Sequence, residues 1–157
     1  MTGATVQPLS AAPYSTGGGG VVLEHRYAAT LLASLLAHVP VPELGDDVTP
    51  QVVRLQASDF SSVDDLVVSG RAPDGDMRHV SIGLRRSPRL VRSEKESVSL
   101  IGSYLRGITG SWEEVRAGRW RLVLAATTAS SAVRQLDELA VIAGTAPTEE
   151  AFRAKAR

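Results

Sequence analysis

The segment Arg78–Arg86 (RHVSIGLRR) alternates strictly: Val80, Ile82 and Leu84 fall on one side of an extended chain, and His79, Ser81, Gly83 and Arg85 on the other. A strand with one apolar side commits the chain to a sheet with a covered face, and a second layer must cover it. Helix-periodic segments on both sides supply that layer. From Val21 to Val39, Ala28, Leu31, Leu32, Leu35, Leu36 and Val39 recur at three- and four-residue steps until Pro40 and Pro42 end the run. After Pro88, Ser93 opens a second helix, with Glu94 and Glu96 in its first turn. Val98, Ile101, Leu105 and Ile108 form its apolar stripe, and Gly107 and Gly110 mark its end.

Two further strands precede the alternating one: Gln51–Ala57, and Val63–Ser69, which is closed by Gly70 and the turn Pro73–Asp76. A fourth spans Trp120–Thr127. Ser131 caps a helix carrying Val133, Leu136, Leu139, Ala140 and Ala143, and Thr148 starts a last short one holding Phe152. The predicted order is α-β-β-β-α-β-α-α, an α/β fold with a small mixed central sheet flanked by helices. Residues 1–20, with Pro8, Pro13 and the glycine run 17–20, read as a flexible N-terminal segment. Residues 21–157 then form a single domain, which suits a chain of 157 residues. The ending Ala154-Lys155-Ala156-Arg157 suits a domain cut from a longer chain.

Composition removes several classes of chemistry. The chain has no cysteine, so disulfides, thiolate nucleophiles, Fe–S clusters and cysteine-based zinc sites are excluded. Its three histidines, His25, His38 and His79, match no metal motif. Seventeen basic and seventeen acidic residues cancel, so nucleic acid is not bound by bulk charge; a local patch is needed. No apolar run reaches the roughly 20 residues of a membrane span, and the N-terminus lacks the pattern of a secretory signal. The expectation is a cytoplasmic protein without membrane contact.

Three places are candidates for chemistry. Glu24 shares a helical face with Ala28, Leu31 and Leu35, where a carboxylate is costly unless paired or metal-bound; alternatively it faces water in the first turn. Asp64 and Asp65 interrupt the apolar run Val63-Asp-Asp-Leu-Val-Val, and because neighbours in a strand point to opposite faces, one of them shares a face with Val63 and Val67. A turn leading into the strand is the alternative, and it accounts for Asp64 better than for Asp65. The third is the polar side of Arg78–Arg86, either an ordinary half-exposed strand side with solvated arginines or, if it lies beside the aspartate strand, a guanidinium facing a carboxylate. Beyond it, Arg85, Arg86, Arg89, Arg92 and Lys95 cluster, either as a solvated loop or as a phosphate-binding patch.

The element order, the glycine run leading into Leu23-Glu24-His25-Arg26-Tyr27-Ala28-Ala29, the doublet in Val63-Asp64-Asp65-Leu66-Val67-Val68 and the strand ending Ile82-Gly83-Leu84-Arg85-Arg86 resemble the PD-(D/E)xK (restriction-endonuclease-like) superfamily. Within it the chain is similar to the N-terminal double-strand DNA endonuclease domains of anti-phage defence effectors, over residues 17–152. The resemblance implies metal-dependent phosphodiester hydrolysis with Mg (or Mn). Asp64 or Asp65 is then the strand carboxylate of the metal and Glu24 the helix carboxylate, while Arg85, Arg86, Arg89, Arg92 and Lys95 take the DNA phosphates. The chain departs from the family at one step: the Glu/Gln-x-Lys motif falls on Gly83-Leu84-Arg85, which supplies neither a ligand nor a titrating lysine. Lys95, between Glu94 and Glu96, is a candidate for a migrated lysine or a solvated one. The implied function is a nuclease-like effector domain acting on or binding double-stranded DNA, with Asp64, Asp65 and Arg85 at the catalytic position. The alternatives are a catalytically inactive nuclease-fold module for protein interaction or oligomerisation, as a homo-oligomer or beside an NTPase-sensor module, and a small-ligand-binding regulatory domain.

Overall fold

The computed structural model describes residues 18–86, 88, 90–91, 93–127 and 131–156. Along them run α1 (Gly18–Ala37), β1 (Thr49–Leu55), β2 (Leu66–Arg71), β3 (Met77–Arg85), α2 (Lys95–Gly110), α3 (Trp112–Arg116), β4 (Trp120–Ala126), α4 (Ser131–Thr145) and α5 (Glu149–Lys155). The strands form one mixed sheet in the order β1-β2-β3-β4. β1, β2 and β3 pair antiparallel as a meander, and β4 returns through α2 and α3 to lie parallel to β3. The three expected strands are thus successive strands of one sheet. None of the described helices is long and apolar enough to cross a membrane.

The apolar side of β3 faces α1. Val80, Ile82 and Leu84 join Leu66 and Val68 of β2 against Ala28 and Leu31, in a fully buried aliphatic cluster. The connection after α1 also contributes to this core: Val41, Leu44 and Val48 are buried within it. α1 stops where His38 turns to φ 53 and Val39 N–H returns to the Ser34 carbonyl at 2.9 Å, the hydrogen bond of a left-handed helix cap. The Tyr27 hydroxyl donates to the Glu43 carboxylate and ties the following loop to the helix.

Several boundaries differ from expectation. α1 begins at Gly18, inside the segment read as flexible, and α3 was not expected. α2 starts at Lys95 with Glu94 as its N-cap, so Ser93 lies outside the helix. The larger correction concerns its face. Val98, Ile101 and Leu105, the expected core stripe, are exposed, whereas Ser97 and Leu100 are buried. The helix turns Ser97, Leu100, Tyr104 and Gly107 inward because small residues let it approach the sheet closely: a Cβ on Gly107 would lie 2.5 Å from Leu122 Cδ2 of β4. The outward stripe, with Val91 and Leu136 of α4, lines an apolar groove of about 480 Å³.

Asp64 and Asp65 also stand elsewhere than expected. β2 begins at Leu66, so both aspartates precede the strand rather than interrupt it. Their carbonyls still accept the Ala57 and Gln56 amides at 2.8 and 3.0 Å, but Gln56 takes a left-handed φ of 48 and ends the regular ladder. The doublet is the turn leading into the strand.

Candidate functional site

The polar side of β3 is buried at its centre, where Ser61 and Trp120 meet Ser81 and Tyr104 of α2 stands over Gly83, and Arg85 at its end is exposed. Its hydroxyls are all engaged. Trp120 Nε1–H donates to Ser81 Oγ at 3.0 Å, and Ser81 Oγ donates onward to Ser61 Oγ at 2.9 Å. Ser61 Oγ also accepts the Val63 amide at 3.1 Å, and Ser62 Oγ donates to the Ser103 carbonyl of α2 at 2.8 Å. These bonds pin residues 61–63 between sheet and helix, and so fix the backbone that presents Asp64 and Asp65.

Asp65 is the centre of the site. The last β2–β3 pair is Leu66 with Ile82, and beyond it Asp65 Oδ2 accepts the Leu84 amide at 2.7 Å, standing in for a ladder carbonyl. The same oxygen accepts Arg85 Nη1 at 2.6 Å. The expected facing of guanidinium and carboxylate is therefore present, with the carboxylate well covered (19% exposed) and the guanidinium more open (43%). Glu24 lies within electrostatic reach of both. Partial burial lifts its carboxyl above the ordinary range; Asp65 and, more weakly, Asp64 add to the rise, while Arg85 and His25 oppose it. Asp65 and Arg85 are in direct contact, and Glu24 feels the charge of both and, more weakly, that of Asp64.

Gly83 has a steric reason. A Cβ there would stand 2.6 Å from the Tyr104 hydroxyl and 3.3 Å from Val63 Cγ1. Tyr104 occupies the space that a ligating side chain at position 83 would need, and its hydroxyl donates to the Val123 carbonyl at 2.6 Å. Burial pushes its phenol up to about 12, against the opposing effects of the Gly83 amide and Arg85, so it stays a neutral donor. Arg85 and Arg86 border a hollow of about 370 Å³ that Glu94 and Glu96 also line. Lys95 is exposed at the start of α2. Arg89 and Arg92 lie outside the described residues.

As arranged, these donors do not fit a divalent cation. Asp65 Oδ2 already holds an amide and a guanidinium, Gly83 has no ligand, and among the described residues no three Asp, Glu or His side chains gather into a metal-holding group. The guanidinium of Arg85 balances the charge that a cation would otherwise balance.

Sequence reasoning missed a second cluster on the same side of the sheet. Phe60 stacks on Trp120 at 5.4 Å, His79 meets Trp120 at 5.2 Å, and the Arg54 guanidinium lies 4.7 Å over Phe60. Ser69 Oγ and His79 Nδ1 are hydrogen-bonded at 2.8 Å, and burial, aided by Arg54, lowers the His79 pKa. The scarcity of aromatic residues, 4% of the chain, was the available signal.

The class so defined is a mixed α/β domain whose four-stranded mixed sheet is flanked by helices, with a carboxylate–guanidinium pair at the junction of β2 and β3. Comparison with family models, with curated proteins and with solved structures finds no significant match.

Proposed function

We propose that the chain is a nuclease-like module that contacts the phosphate backbone of double-stranded DNA without hydrolysing it, an arginine having taken the place of the metal. The order helix, three strands, helix, strand expected from the PD-(D/E)xK resemblance is present with one short extra helix, α3, before β4. One observation carries the reading: Asp65 Oδ2 accepts both the Leu84 amide and Arg85 Nη1, at 2.7 and 2.6 Å. A carboxylate whose Oδ2 is held in this way serves the fold, and its charge is already balanced by a guanidinium. Arg85 keeps part of its guanidinium exposed and borders the same hollow as Arg86, where fork-shaped donors suit phosphate oxygens. Glu94 and Glu96, which line the same hollow, keep that binding modest.

The test pairs a cleavage assay with a binding assay. The purified chain, incubated with plasmid DNA and Mg²⁺ or Mn²⁺, leaves the plasmid intact. Fluorescence anisotropy on duplex DNA gives sequence-independent binding that weakens with salt by a slope of about −0.9 per phosphate neutralised. Reversing the charge of Arg86 and Lys95 together weakens it uniformly across sequences. Cleavage by the unmodified chain that disappears in Asp64→Ala or Asp65→Ala overturns the inactive reading. Binding that is flat with salt overturns the DNA reading.

A further inference from the structure

The two edges of the sheet are built differently. β1 carries Pro50, a register irregularity between Pro50 and Val52, and exposed Gln51 and Arg54; Gln56 then turns the chain away at φ 48. Each of these obstructs the addition of another strand. β4 has none of them. Trp120–Ala126 (WRLVLAA) contains no proline, glycine or acid, and it pairs with β3 without a break. Its one charged side chain, Arg121, folds back toward the Pro42 and Glu43 carbonyls. Among the described residues β3 is its only strand partner, and α2 meets β4 through the Leu122 side chain, beside Gly107. The Val123 carbonyl receives the Tyr104 hydroxyl, which also sits over Gly83 of β3, so Arg121, Val123 and Ala125 direct their backbone inward. The alternate residues Trp120, Leu122, Leu124 and Ala126 therefore direct theirs outward.

We propose that β4 is a self-pairing strand: two copies of the chain join antiparallel along β4, with Val123 on the twofold axis, and form one continuous sheet twice as wide. The strand is its own complement in that register. All seven residues pair. The outward-directed Leu122 meets the outward-directed Leu124 of the second copy, which is what an antiparallel hydrogen-bonded pair requires. Leucine meets leucine twice, valine meets valine, the large Trp120 meets the small Ala126, and Arg121 meets Ala125. No like charges are opposed, and a chain of zero formal net charge does not repel its copy at long range. A twofold contact of this kind uses the same surface on both partners and closes after two copies. The inference is independent of whether the chain binds DNA.

Sedimentation equilibrium of the whole chain tests it. The unmodified protein is expected to dimerise. A Leu122→Lys, Leu124→Lys double variant opposes like charges at two pairs and raises the dimer dissociation constant about tenfold or more. A Leu122→Lys, Leu124→Glu double variant loses the same apolar side chains but opposes unlike charges, so it restores the dimer and controls for folding. An unmodified chain that is monomeric at every concentration tested overturns the proposal. So do equal dissociation constants for the two double variants.

Discussion

On the α1 side of the sheet, Leu66, Val68, Val80, Ile82 and Leu84 meet Ala28 and Leu31 in a cluster of aliphatic side chains. On the α2 side the same strands present Val67, Ser69, His79, Ser81 and Gly83 to Tyr104 and Trp120, with hydroxyls bonded to one another, to a ring nitrogen and to backbone. Ser81 and Ile82, neighbours in β3, are both 0% exposed. One face is held by dispersion and water exclusion, which tolerate small shifts; the other is held by directional bonds and one close approach, which do not. The carboxylate–guanidinium pair belongs to the second face, and it is the face able to hold a charged group at a fixed place.

Three substitutions set the two faces against each other. The largest effect is expected on the aliphatic side: Ile82→Ala empties the centre of the core and costs about 2–5 kcal/mol, read from the urea midpoint at unchanged slope. Gly83→Ala probes the close approach. Its Cβ meets the Tyr104 hydroxyl at 2.6 Å, so the ring or α2 has to move. A loss of about 1–3 kcal/mol is expected, and it falls sharply in the Tyr104→Phe background, where the obstructing oxygen is gone. Additive losses in that double variant break the comparison, because the second face would then not be set by this contact.

The smallest effect lies where the two faces meet. Glu24 has its pKa raised in the folded chain, so folding takes up a proton between the ordinary value of 4.5 and the raised one. Its contribution to stability is complete below the ordinary value and is lost as pH rises through the raised one. Glu24→Gln removes this dependence. The variant gains up to about 0.5 kcal/mol at pH 7, and the gain disappears below pH 4.5. Thermal midpoints at the two pH values check the sign. A variant less stable at pH 7 shows instead that attraction to Arg85 outweighs desolvation.

Period-2 alternation in Arg78–Arg86, the stops at Pro40 and Gly110, and the order of helices and strands are local properties, and reading them requires only neighbours in the chain. Hence the mixed α/β fold and the three successive strands were legible. The pairing of Asp65 with Arg85 was legible in outline, since two adjacent strands with one polar side each must set such residues near one another. Which face α2 buries was not. Its two candidate stripes differ by one residue in phase, and burying Val98, Ile101 and Leu105 is the better choice for an isolated helix. Contact with Gly83 and Leu122, residues far away in the chain, favours the stripe carrying Tyr104 and Gly107 instead. The role of Asp65 was hidden for the same reason: an aspartate before a strand is a turn residue until the Leu84 amide, nineteen positions later, needs an acceptor that β2 no longer provides. Hydrogen-bond satisfaction and close packing are properties of surfaces in contact, and those contacts exist only once the chain has folded.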